Sequence, residues 1–198
     1  MIEKIQLLKI CPRVMDLDAL VVGLNAAMLE FDINTPEREA MFLAQCTHES
    51  GCFRHVVELW GPDQVPEQRR YDFRQDLGNT KPLAIDIAAR HGKKPGFFWR
   101  GRGYIQITGF NNYAEAADAL GIDCVERPEL LERPENAARV SAFWWSRRNA
   151  NRIADGGDLD AARRISRLVN RGNPNSMSPA NHEEERLALW RAFSEALA

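Results

Sequence analysis

Arg100-Gly101-Arg102-Gly103-Tyr104-Ile105-Gln106-Ile107-Thr108-Gly109-Phe110-Asn111-Asn112-Tyr113 is the stretch from which the rest of the chain can be read. Gln106, Thr108, Asn111 and Asn112 can each donate and accept hydrogen bonds. Tyr104 and Tyr113 offer flat apolar faces with polar tips. This is the equipment needed to hold a polyhydroxylated ligand. Ile105 and Ile107 alternate with Gln106 and Thr108, and a period of two puts the apolar pair on one face and the polar pair on the other. Taken alone, the stretch also reads as an ordinary turn followed by a half-buried extended segment. A His-Glu pair upstream, at the predicted end of a helix, favours the ligand-binding reading.

Working outward, the whole chain limits the choices. Its 198 residues make one domain, or two lobes sharing a site, and suffice to bury a core. With 26 basic and 28 acidic residues, the net charge of -2 carries no nucleic-acid signature. No apolar run reaches membrane-spanning length. The start, Met1-Ile2-Glu3-Lys4-Ile5-Gln6, does not read as a secretory signal, so a cytoplasmic origin is expected. The four cysteines, Cys11, Cys46, Cys52 and Cys124, lack metal-ligand spacing. Buried free thiols are expected, with a Cys46–Cys52 bridge as the alternative.

Helical periodicity dominates. Ile2, Ile5, Leu8 and Ile10 open the chain, and Leu17 to Phe31 form an amphipathic helix. Thr35-Pro36-Glu37 reads as an N-cap, a first helical proline and a dipole-matched acid. That helix is predicted to end near His48-Glu49-Ser50-Gly51. Short helices are expected at Tyr71–Leu77 and Leu83–Arg90, with Lys93-Lys94-Pro95-Gly96 as a surface turn. Basic residues there read as a solvated face that an anionic polymer could use. Further helices are predicted over 112–120, 129–148, 159–169 and 181–197, with Asn170 to Asn175 as a loop. Trp144 and Trp145 are expected in the core.

Two carboxylates suffice for glycoside hydrolysis, one protonating the leaving oxygen and one activating water or attacking carbon. A helix C-terminus disfavours negative charge, the setting a general acid needs, and Glu49 is placed there. Phe53 and Trp60 are expected beside it. Glu58 sits between apolar neighbours in Val56-Val57-Glu58-Leu59-Trp60. His48-Glu49 begins like a zinc HExxH motif, but Cys52 stands at the second histidine's place, so no metal is expected. A Cys-His nucleophile from Cys46 or Cys52 with His48 or His55 is a further alternative.

His48-Glu49-Ser50, Glu58, Asp76-Leu77-Gly78-Asn79-Thr80 and Arg100 to Gly109 together resemble the family 19 glycoside hydrolases, with the phage and prophage endolysins of that family the nearest type. The resemblance runs in order from about Ala40 to the C-terminus. It implies a mainly α, lysozyme-like fold with two lobes around a substrate cleft and little or no β-sheet. It also implies inverting cleavage of β-1,4 bonds between N-acetylated sugars, without a cofactor. Carried over by position, Glu49 is the general acid, Glu58 the general base and Thr108 the holder of the attacking water, where plant relatives carry Ser. His48, Tyr104, Gln106, Asn112, Asn170 and Arg186 are the implied substrate-binding set, with Arg186 expected to keep Glu58 ionised. The interval from Glu49 to Glu58 is shorter than in plant chitinases, which leaves Glu67 and Asp63 as alternatives for the base. Arg171 stands where relatives often carry Gly, so the loop after Asn170 is expected to differ in shape.

The resulting expectation is a single catalytic domain over 1–198, with N-terminal helices 1–34 packed on a core of 35–198. It is a monomeric endolysin that cuts peptidoglycan glycan strands, with no nucleic-acid partner and no stable membrane insertion. It waits in the cytoplasm until a separate pore-forming protein releases it to the wall. A chitinase, an antibacterial muramidase toxin and a non-catalytic glycan-binding module are the alternatives.

Overall fold

Capping chemistry and prolines set the limits of ten helices: α1 (Lys4–Ile10), α2 (Leu17–Glu30), α3 (Pro36–Glu49), α4 (Pro82–Arg90), α5 (Pro95–Phe98), α6 (Phe110–Leu120), α7 (Pro134–Arg147), α8 (Ala150–Ala154), α9 (Leu159–Arg171) and α10 (Glu183–Leu197). The computed structural model describes residues 1–198. Thr35 Oγ1 accepts from the Arg38 N–H at 3.3 Å, and Asp158 Oδ1 from the Ala161 N–H at 2.8 Å, so both predicted caps are in place. Extended pairing is limited to two isolated bridges, Val57 with Arg102 and Arg102 with Ile107. The fold is mainly α, as expected, and no helix is long and apolar enough to cross a membrane.

Four predicted elements lie elsewhere. The helical turn expected at 71–77 is a 3-10 helix, Pro66–Phe73. Pro66 opens it early, and Asn79 Nδ2 ends it by donating to the Tyr71 carbonyl at 2.7 Å. Pro95 starts α5 where a surface turn was expected. Pro128 and Pro134 each open a new element, so the predicted helix over 129–148 is a 3-10 helix, Pro128–Glu132, followed by α7. Asn170 and Arg171 finish α9, and the loop begins at Gly172.

The apolar residues form two clusters. The larger takes Leu20 and Leu24 from α2, Met41, Phe42 and Leu43 from α3, and Ile165, Leu187 and Phe193 from α9 and α10. Ile2 and Leu7 belong to it as well, so the N-terminal helices build this core rather than decorate it. The smaller joins Ile87, Phe98, Trp99, Phe110 and Tyr113. Helix α7 serves both: Ala138 and Trp145 face the first cluster, Val140 and Phe143 the second. Trp145 packs edge-on to Phe42 at 5.4 Å. Burial of each such aromatic contributes on the order of 2 kcal/mol or more, which makes α7 the stiff wall behind the cleft.

All four cysteines are free. Burial, and then the neighbouring Cys52, push the Cys11 thiol up.

The 100–109 stretch is pinned to α7. Ser141 Oγ accepts from the Ile105 N–H at 3.1 Å and donates to the Ala137 carbonyl at 2.7 Å. Gly103 has φ +76, and a Cβ there would lie 2.7 Å from Val140 Cγ1, so only glycine permits this approach. The stretch is therefore a tight turn, not an extended segment. Arg102 and Ile107 exchange backbone hydrogen bonds at 3.1 and 2.9 Å, and Gln106 takes φ +59. The predicted facing survives the different backbone: Ile105 and Ile107 are buried, Gln106 and Thr108 half-exposed.

Candidate active site

Glu49 is the last residue of α3, and Glu58 follows after a turn that brings it back against residue 101. The Glu58 N–H donates to the Gly101 carbonyl at 2.8 Å, and the Gly101 N–H donates to Glu58 Oε2 at 3.1 Å. A Cβ on residue 101 would meet Gln106 Oε1 at 2.7 Å and Glu58 Cβ at 3.4 Å, so glycine keeps the glutamate and the turn in contact. The result is an open cleft of about 340 Å³ lined by Glu49, Glu58, Tyr71, Gln106, Thr108 and Asn170, among others.

The two carboxylates have different surroundings. Glu49 Oε1 accepts from Arg186 Nη2 at 2.5 Å. Arg186 is 2% exposed and also donates to Gln45 Oε1 at 2.7 Å and the Asn181 carbonyl at 3.0 Å. Gln45 Nε2 in turn reaches Ser166 Oγ at 3.3 Å, which ties α3, α9 and α10 together beneath the acid. Glu58 forms no ion pair. Its Oε1 accepts from Gln68 Nε2 at 2.9 Å and Tyr71 Oη at 3.3 Å. Burial, and then the Glu58 carboxylate, push the Tyr71 phenol up to about 12, so it keeps its proton and donates.

Arg186 was expected to serve Glu58; it serves Glu49. The last helix passes under the end of α3, and the 3-10 helix Pro66–Phe73 covers the base candidate instead. Phe53 and Trp60, expected beside Glu49, do not line the cleft with it: Phe53 packs on Tyr104 at 5.0 Å and Trp60 on Tyr71 and Phe97. Of the alternative bases, Glu67 and Asp63 are exposed, and Asp63 pairs with Arg69 at 2.7 Å.

Other predicted residues divide by position. Gln106 and Thr108 line the cleft, with Gln106 Nε2 donating to the Gly103 carbonyl at 2.8 Å and Thr108 Oγ1 to the Gln106 carbonyl at 3.0 Å. Asn170 lines the opposite wall and accepts from the Asn181 N–H at 2.8 Å. Arg171, the departure from the resemblance, staples the following loop by donating to the Pro179 carbonyl and to Asn181 Oδ1. Tyr104 does not face the cleft: it is 2% exposed, in the core. Asn112 lines a separate small hollow beside Trp144 and donates to the Thr108 carbonyl at 2.6 Å, so it braces the turn. His48 turns away toward α10, with Nδ1 3.9 Å from Glu185 Oε2. Burial, then Arg186, lowers its proton affinity.

Gln68, Tyr71 and Gln45 were not foreseen. Gln68 is 2% exposed, unusual for a glutamine, and its side chain bridges Glu58, the Leu59 carbonyl and the Gly61 N–H. Arg186→Met would leave Glu49 and Gln45 without their shared buried donor. Loss of one partner of such a pair costs roughly 3–5 kcal/mol. Denaturant unfolding should show this loss, and Arg186→Met combined with Glu49→Gln should recover part of it.

Comparison with known proteins gives the family. The family 19 glycoside hydrolase model, described as chitinase class I, matches residues 21–155. That range holds Glu49, Glu58 and Thr108 but not Asn170 or Arg186. A glycosyl hydrolase family 19 domain-containing protein of Haemophilus influenzae is 28% identical over 79% of this chain and 78% of its own. Rice chitinase 3 is 31% identical over 65% of this chain, but the match spans only 40% of the plant protein. Among solved structures, chitinase C from Streptomyces griseus shares the fold with a TM-score of 0.67 at 20% identity, covering 98% of this chain and 76% of that one. A bacterial family 19 chitinase gives 0.65 at 22% identity, covering 99% and 94%. The chain belongs to the family 19 glycoside hydrolases.

Proposed function

We propose that this chain hydrolyses β-1,4 bonds in the glycan strands of bacterial peptidoglycan by direct attack of water. The observation that carries the reading is that Glu49, Glu58 and Thr108 line one open cleft, and the roles of acid and base follow the family resemblance. Glu49 protonates the departing glycosidic oxygen. Glu58 takes a proton from water, and the Thr108 hydroxyl holds that water in line. Gln106 and Asn170 grip the sugars from opposite walls, while Arg186 and Asn112 position Glu49 and the Thr108 turn. Inversion of this kind needs the two carboxyls about 6.5–9.5 Å apart, leaving room for the water.

The endolysin role belongs to the same proposal: a monomer, held in the cytoplasm and released to the wall by a separate pore-forming protein. The resemblance to phage and prophage endolysins supports it. A second reading, hydrolysis of chitin, is favoured by relatives named chitinase 3 and endochitinase 1. Purified sacculi and chitin oligomers, offered separately, decide between them. Soluble glycan fragments from sacculi with little turnover of chitin oligomers are expected. Turnover of chitin alone would replace the first reading with the second.

A further inference from the structure

The Glu58 side of the cleft adjoins a hollow of about 570 Å³, larger than the cleft itself. Trp60, Phe73 and Phe97 give it an aromatic lining, and Arg69, Lys93 and Lys94 a cationic one. The two spaces share a wall. Trp60 packs edge-on to Tyr71 at 5.9 Å and to Phe97 at 5.5 Å, and Tyr71 reaches Glu58. A strand bound between Glu49 and Glu58 therefore passes within reach of the hollow.

Its surface is costly as it stands. Phe73 is 77% exposed, although phenyl rings are normally covered. Lys93 Nζ lies 5.2 Å from the Phe97 ring centroid and has no carboxylate partner. Lys94 Nζ is 4.0 Å from Asp72 Oδ2, the limit of an ion pair, while Asp72 Oδ1 is already engaged by the Gly96 N–H at 2.9 Å. Arg69 spends itself on Asp63 at 2.7 Å. Asp72 is the only carboxylate among the lining residues, so Lys93 and Lys94 are left to face an incoming ligand.

Aromatic faces with available ammonium groups suit a short peptide that carries carboxylates. A neutral sugar polymer has no use for the ammonium groups. A nucleic acid needs phosphate contacts spread along a longer basic face than Lys93 and Lys94 offer. Given the peptidoglycan reading above, on which this rests, we propose that the hollow binds the anionic peptide branch of the strand held in the cleft. It thereby selects branched over unbranched glycan.

The test compares wild type, Lys93→Glu/Lys94→Glu and Lys93→Arg/Lys94→Arg on two substrates: peptide-bearing glycan strands, and the same strands stripped of peptide by an amidase. Charge reversal should lower kcat/KM on peptide-bearing strands about tenfold, mostly through KM, the size expected for losing two exposed charge contacts. On stripped strands it should change little, the arginine variant should behave as wild type, and added salt should erase the difference. Equal loss on both substrates, or loss on neither, would overturn the inference and leave the glycosidase reading standing. Failure of wild type to cut either strand while cutting chitin oligomers would remove that reading, and the inference with it.

Discussion

Glu49→Gln is expected to lower turnover of glycan strands by roughly two to four orders of magnitude while the protein stays folded, the range over which a positioned general acid contributes. The amide has nearly the carboxyl's shape, and its oxygen can still accept from Arg186, so the bridge to Gln45 and α10 persists. What it cannot do is release a proton to the departing oxygen. Strand affinity should therefore be retained with kcat lost, the signature of an interaction made only in the transition state. The effect should shrink on substrates whose leaving group needs no proton, such as aryl glycosides with an acidic phenol. A uniform loss on both substrate types would point to binding or folding instead.

Glu58→Gln is expected to lose a similar two to four orders of magnitude for a different reason. Gln68, Tyr71 and the Gly101 N–H all donate to Glu58. A carboxylate accepts all three; an amide must turn its own NH₂ toward one of them and so lose that contact. The variant therefore loses the base and a measure of local order, and it should be slow even on aryl glycosides. In Glu58→Ala the space freed beside Tyr71 admits a small anion. Added azide should then restore turnover and give a glycosyl azide of inverted configuration, which azide should not do for Glu49→Ala. Rescue of neither, with both folded, would remove Glu58 from the base role.

Where the polypeptide announced its own structure, it did so through caps and spacing. Thr35 with Pro36 started α3 and thereby fixed where Glu49 falls, and Asp158 started α9. Glu58 stood out as a carboxylate among apolar neighbours, and alternation located Gln106 and Thr108 on the open face. Tyr104 was misassigned because the chain reverses at Gln106 instead of running extended, which folds Tyr104 inward against Phe53. Gln68 and Tyr71 stayed hidden because a 3-10 helix of eight residues has no long-range period. The destination of Arg186 depends on how α10 crosses α3, a tertiary fact that spacing along one helix does not carry. Of these, only Gln68 had a local hint, a polar residue just after the Pro66 that opens its helix.

The most direct test is the configuration of the first-formed reducing end, followed by NMR while wild type digests peptidoglycan strands. Water attack directed by Glu58, opposite the oxygen protonated by Glu49, predicts that the α anomer appears first and the β anomer only by later mutarotation. A β anomer formed first, or an anhydro end with no added water, would contradict direct water attack and the roles given to Glu58 and Thr108.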